Sequence, residues 1–243
     1  MRFIQQVLVS ASLGLIMAAA TASPTAPQNG AEYRTLERQQ PTEAGKKVEV
    51  TEFFWYSCPH CFAFEPSLAE WVKKNADNIT FKRVPVAFRD SFIPQQKLYY
   101  ALEAMGKSEE MQRKVFNAIH VERQQIDTDA TILDFVGKQG LDKQKFADVY
   151  NSFGMQSKVR QASSMQEAYK IDGVPTIAID GKYLTSPSIV GTAFGKSQPE
   201  NVLATSTLQV MDALVAKAQA ERKGATTAPA APAAKAAKAP AKK

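Results

Sequence analysis

Apolar side chains fall at every second position through Val48, Val50 and Phe54. Phe53 and Trp55 occupy the other side, so residues 47–56 turn apolar on both faces as the segment advances. That pattern predicts a strand entering the centre of a covered sheet. The period then changes. Cys61, Phe64, Leu68 and Val72 recur along a helical stripe, Pro59 suits the first helical position, and Cys58 is left as N-cap. Pro66 lies within this helix and predicts a kink. Residues 79–87 give a second strand. Strand, helix, strand is the opening of an α/β unit.

The middle of the chain is helical throughout. Leu98, Ala101, Leu102 and Met105 form one stripe; Met111, Val115 and Ile119 form another. Thr128 or Asp129 caps a third helix, with Ile132, Leu133 and Val136 inward and Gly140 as its stop. Asp142 caps a fourth, with a hydrophobic staple of Leu141 on Phe146. Val159, Ala162 and Tyr169 point to a fifth. Strands resume at Pro175-Thr176-Ile177-Ala178-Ile179, and Asp180-Gly181 predicts a tight hairpin into Lys182-Tyr183-Leu184. Ser197 and Glu200 read as a capping box around Pro199, opening a last helix with Leu203, Val210, Met211 and Leu214 inward. The sum is an α/β protein, a thioredoxin fold with an inserted all-helical domain.

The two ends differ from this centre. Residues 1–22 read as an export signal: Arg2 gives a positive start, Val7 to Ala20 an apolar stretch, and Ala20-Thr21-Ala22 a small-residue cleavage point. The stretch is shorter than the ~20 residues of a membrane span, which favours removal over anchoring. Residues 23–32, with Pro24 and Pro27, read as a linker. The thioredoxin-like halves are assigned to 33–90 and 156–223, and the insertion to 91–155. Residues 224–243 are almost wholly Ala, Pro, Lys and Thr, too poor in apolar surface to fold, so a disordered tail is expected. Arg2 and the tail lysines 235, 238, 242 and 243 carry five of the positive charges, and without them the net charge of +6 falls to +1. A nucleic-acid-binding domain would carry its excess charge on a folded face, so that class is disfavoured.

The chemistry concentrates in Cys58-Pro59-His60-Cys61, which holds both cysteines of the 243-residue chain. Two thiols two residues apart, just after a strand, are the minimum apparatus for passing a disulfide between proteins. Cys58 meets the free N–H groups and positive end of the helix, which favour its thiolate; Cys61 lies one turn in, on the inward stripe. His60, when protonated, adds a donor and a positive charge beside Cys58. Glu52 shares the face of Val48, Val50 and Phe54. On that face its pKa should be raised, and it could exchange protons with Cys61; the plainer reading is a strand-end glutamate reaching solvent.

Glu52-Phe53-Phe54, then Cys58-Pro59-His60-Cys61, then Val174-Pro175-Thr176 before a short hairpin strand resembles the DsbA family of periplasmic thiol oxidases. The resemblance runs from about Tyr33 to the final helix, and the Pro-His pair between the cysteines is its specific part. It implies a redox-active Cys58–Cys61 disulfide donated to reduced exported proteins, re-oxidation by a DsbB-like, quinone-linked membrane partner, a periplasmic monomer and no bound cofactor. It also implies a cis Pro175 against the dithiol, with Val174 and Thr176 framing a main-chain grip on extended substrate, and a buried acid at Glu52. Phe62, Phe64, Trp55 and Trp71 read as core or groove wall, and His120 as a structural or surface residue.

Rival readings are weaker. Structural zinc wants four ligands, and this chain offers two cysteines, His60 and the remote His120. Haem attachment needs a histidine where Phe62 stands. A disulfide isomerase or reductase, usually carrying a dimerisation domain for which no segment precedes Tyr33, and a non-catalytic chaperone-like module remain as alternatives.

Overall fold

The structure, a computed structural model, describes residues 23–227. The expected signal and its cleavage point near Ala22 lie outside them, as does most of the expected tail. A five-stranded sheet has the order β1-β5-β4-β2-β3, built from β1 (Arg34–Thr35), β2 (Val48–Phe54), β3 (Ile79–Pro85), β4 (Thr176–Ile179) and β5 (Tyr183–Thr185). β2 runs parallel to β3 and antiparallel to β4, and every residue of β2 is buried. That is the position its two-faced apolar pattern demands.

Helix α1 (Pro59–Lys74) joins the parallel pair and continues through Pro66 without interruption. Between β3 and β4 stand α2 (Ile93–Ala104), α3 (Ser108–His120), α4 (Asp129–Lys138), α5 (Lys143–Tyr150) and α6 (Phe153–Ala168). Thr128 and Asp142 cap α4 and α5, each accepting from the backbone N–H three residues on. α6 runs straight across the boundary drawn at residue 155, because Ser152 caps its start and nothing breaks the helix until Tyr169. The helical layer therefore feeds directly into β4.

Two elements follow no pattern visible in the sequence. The two-residue strand β1 is too short to show alternation; it pairs with β5, Arg34 opposite Leu184. Helix α7 (Pro187–Ala193) is capped by Ser186 but holds only seven residues. The final helix, α8 (Glu200–Thr227), begins after Pro199 and passes the Gly224 boundary set by composition. The expected linker is only partly one. Glu32 within it is buried, its carboxylate accepts from Gln28 N–H, and its carbonyl accepts from Thr185.

The Asp180-Gly181 hairpin forms as expected, with positive φ at both residues, the type I′ geometry. Two apolar cores flank the sheet. One holds Val48 and Val50 against Phe64, Leu68, Val210, Met211 and Leu214 of α1 and α8. The other joins Phe54 to the helical layer, its ring 5.4 Å from Tyr99 and 6.2 Å from Phe116. Both cysteines of the redox motif belong to this second core.

Candidate active site

Cys58 occupies the N-cap of α1 with extended backbone angles, and Pro59 takes N1, as its missing N–H allows. Its own N–H donates to Trp55 O at 3.0 Å, and its carbonyl accepts from Phe62 N–H at 3.1 Å. The loop from strand to helix is thereby closed in one turn. Both cysteines are free thiols; Cys58 is 7% exposed and Cys61 fully buried.

The two sulfurs are electrostatically unequal. Cys61 donates its thiol hydrogen to Cys58, and the N–H groups of Cys61 and His60 and the charge of His60 add to it. Together they overcome burial and lower the Cys58 pKa from 9.0 to about 6. Cys61 moves the other way. Burial pushes it well up, and the negative charge on Cys58 and Glu52 pushes it further. One sulfur is a stable anion near neutral pH while its neighbour keeps its proton.

Val174 approaches from the far side, and the Val174–Pro175 peptide is cis. The Cys58 sulfur lies 3.4 Å from the Val174 carbonyl, which accepts from it when Cys58 is protonated. The Thr176 hydroxyl turns inward and donates to Gly173 O at 2.7 Å. Beside them opens a cavity of about 600 Å³, lined by His60, Val174 and Pro175 on one side and Pro187, Ile189 and Leu203 on the other. The missed helix α7 is thus one of its walls.

His60 is exposed, and its Nδ1 lies 2.8 Å from Glu200 Oε1. Glu200 is therefore engaged with the redox motif, whereas the sequence pattern assigned it to a capping box with Ser197. The Pro199 carbonyl accepts from the N–H groups of Val202 and Leu203, each at 3.0 Å, which starts the helical bonding of α8 at Pro199 and not at Ser197.

Glu52 does not reach solvent. It is completely buried, and Oε2 accepts from Arg83 Nε at 2.9 Å, while Oε1 has no hydrogen-bond partner among the described residues. The parallel register sets Arg83 directly opposite Glu52. Arg83 also donates to Glu65 of α1 at 3.1 Å and to the exposed Glu109 of α3 at 3.0 Å. Burial raises Glu52 to about 8; Arg83 opposes this, and the negative charges of Glu65 and Cys58 assist it. Glu65 is raised as well, chiefly by burial. With one cation between two buried carboxyls, the pair retains a proton.

Arg83 and Glu65 were not expected at this site. Their signals were faint: a charge inside an apolar strand, and a glutamate four residues beyond Cys61 on the inward stripe. His120, expected to be a structural or surface residue, sits half-buried beside the motif, its Nε2 2.8 Å from Tyr56 O.

A dithiol with unequal sulfurs, a helix N-terminus and a facing cis-proline loop invites comparison with known proteins. A DSBA-like thioredoxin domain matches residues 49–205. The chain belongs to the DsbA family. It is similar to the thiol:disulfide interchange protein DsbA of Burkholderia cepacia, with 47% identity over 86% of this chain and 93% of that one. The DsbA of Pseudomonas aeruginosa strain PAO1 is 36% identical over 80% of this chain and 87% of its own length. The crystal structure of Pseudomonas aeruginosa DsbA superposes with a TM-score of 0.71 at 34% identity, covering 80% of this chain and 95% of that one. These matches span the sheet and the helical layer together, so the thioredoxin fold with its helical insertion is that of the DsbA family. The chain is a thiol:disulfide oxidoreductase.

Proposed function

We propose that this DsbA-family chain is a periplasmic dithiol oxidase that donates a Cys58–Cys61 disulfide to newly exported proteins. One observation carries the reading: Cys58 is lowered to about 6 while its partner thiol is pushed up. A substrate thiolate attacks Cys58 of the disulfide, and Cys61 leaves. The raised basicity of Cys61 makes it take up a proton at once, and the buried carboxyl of Glu52 is a nearby source. The substrate's second thiolate then attacks the substrate sulfur of the mixed disulfide. Cys58 departs as a stabilised anion, which accelerates this step. Two electrons pass to this chain, whose dithiol is the reduced product.

Pro59 opens the helix that stabilises the anion, and His60 adds positive charge to it. Val174, Pro175 and Thr176 face the attacked sulfur and hold an extended substrate by its main chain. Re-oxidation falls to a DsbB-like membrane oxidase that passes the electrons to quinone. The chain acts as a monomer, without nucleic acid, after removal of its signal near Ala22.

The test is oxidation of a reduced, unfolded exported protein containing two cysteines by the disulfide form of this chain. One substrate disulfide should form per molecule consumed, and Cys58→Ser should abolish it. Undiminished substrate refolding by Cys58→Ser would instead show a binding module. Faster reshuffling of scrambled disulfides than oxidation of thiols would show an isomerase.

A further inference from the structure

The helical insertion does more than cover the sheet. Three of its side chains converge on the two residues in front of Cys58. Gln95 of α2 donates to the Ser57 hydroxyl at 2.8 Å, and Gln112 of α3 accepts from the Tyr56 hydroxyl at 2.9 Å. His120, the last residue of α3, takes the Tyr56 carbonyl. Gln95 and Gln112 hold side chains, whereas His120 holds the backbone itself. A carbonyl only accepts, so Nε2 is the donor in this bond.

The Tyr56 carbonyl lies beyond β2, and among the described residues no strand pairs with it; the Phe54 carbonyl, two residues earlier, still accepts from Val86 N–H. The His120 ring also stacks on Phe62, with centroids 4.8 Å apart and planes 9° from parallel. Phe62 N–H closes the first turn of α1 onto Cys58 O. One imidazole therefore touches the residue two before Cys58 and the residue just after Cys61. It brackets the redox motif from the helical layer.

We propose that His120 is a positioning residue for the Cys58 thiolate, acting through its hydrogen bond to the Tyr56 carbonyl. The anion at Cys58 is stabilised by donors aimed at one point: the Cys61 thiol and the N–H groups of Cys61 and His60. Such convergence works only if the sulfur is held there, and its position is set by the backbone that enters the N-cap. Releasing the Tyr56 peptide loosens that entry. The proposal rests on Cys58 being the exchanging thiol, as assigned above.

A role confined to tying α3 down would lower stability and leave the titration of folded Cys58 alone. The variants separate ring from donor. His120→Phe keeps a ring on Phe62 and loses the donor; His120→Gln loses the ring and keeps a donor of similar reach. The measurements are Cys58 alkylation against pH and the equilibrium with glutathione, both on folded protein. His120→Phe should raise the Cys58 midpoint by about half a unit, about threefold less thiolate below the midpoint. The glutathione equilibrium should shift toward the disulfide in proportion, and His120→Gln should restore most of both.

An unchanged midpoint in His120→Phe overturns the proposal. So does an equal shift in both variants, because His120→Gln keeps the donor, and so does a shift confined to His120→Gln, which would make the stack the operative contact. Should His120→Phe fail to fold, His120→Asn, polar but too short to reach the carbonyl, takes its place against His120→Gln. A wild-type midpoint at the ordinary thiol value would sink the assignment of Cys58 itself, and the role of His120 with it.

Discussion

At the scale of single residues, the site separates charges by giving like groups unlike surroundings. Cys58 and Cys61 are one helical turn apart, and only the first meets the donors at the helix end. Alkylation of the reduced protein should therefore titrate with a midpoint near pH 6, with Cys61 unreactive until far higher pH. A midpoint above pH 8 would contradict the site as described. Glu52 obeys the opposite sign. Its carboxyl is raised to about 8 when folded, so the folded state binds the proton more tightly than the unfolded chain does. Stability from this group is full below its ordinary value of 4.5 and lost as pH rises through 8. Glu52→Gln should flatten that decline, which is a few kcal/mol at most because Glu65 shares the proton. Urea unfolding of wild type and variant at pH 5 and pH 9 measures it; parallel declines would show the proton resides elsewhere. The acid was legible because it broke an apolar face. Its partner was not, since a parallel register between strands separated by a helix leaves no trace in local pattern, and Arg83 becomes readable only once Glu52 is known to lie opposite.

At the scale of elements, the long periodic segments were legible and the short ones were not. β2, α1 and the five helices of the insertion each bury a stripe that the sequence displays, and the Asp180-Gly181 pair announces its turn. β1 and α7 are too short to carry a period, yet α7 walls the cavity beside Pro175. Glu200 shows the same limit from the other side: its spacing from Ser197 fitted a cap, but the tertiary fold turned it to His60. That pair is half exposed, so Glu200→Gln should change unfolding free energy by less than about 1 kcal/mol. A larger loss in urea denaturation would mean Glu200 holds more than His60. The hairpin offers a sharper case. Gly181 has φ +65°, and a β-carbon there would collide with the Gln40 carbonyl, whose residue's N–H donates to Gly181 O at 2.7 Å. Gly181→Ala should cost about 1–3 kcal/mol in a urea titration while leaving the Cys58 midpoint in place. A shifted midpoint would mean that the turn sets the position of the loop facing the dithiol.

At the scale of the whole molecule, the redox state of one dithiol should be written into the stability of the fold. Reduced and oxidised forms differ chiefly in whether an anion can occupy Cys58. Lowering its pKa from 9.0 to about 6 stabilises the folded dithiol form above that range and adds nothing once pH falls below 6. At about 1.36 kcal/mol per unit, the gain is negligible at pH 5, about 1.4 kcal/mol at pH 7 and about 2.7 kcal/mol at pH 8. Opposing it, closing a four-residue loop favours the disulfide by about 2 kcal/mol through the unfolded chain. The Glu52 titration is present in both forms and largely cancels in their difference. The reduced form should therefore gain little on the oxidised form near pH 5, gain steadily from about pH 6 to pH 8, and be the more stable of the two at the upper end. Paired thermal or urea unfolding of the two forms across this range tests the slope, which does not depend on the size of the loop term. A difference that stays flat with pH would mean the folded protein does not favour the Cys58 anion, and a molecule without that preference has no reason to give its disulfide away.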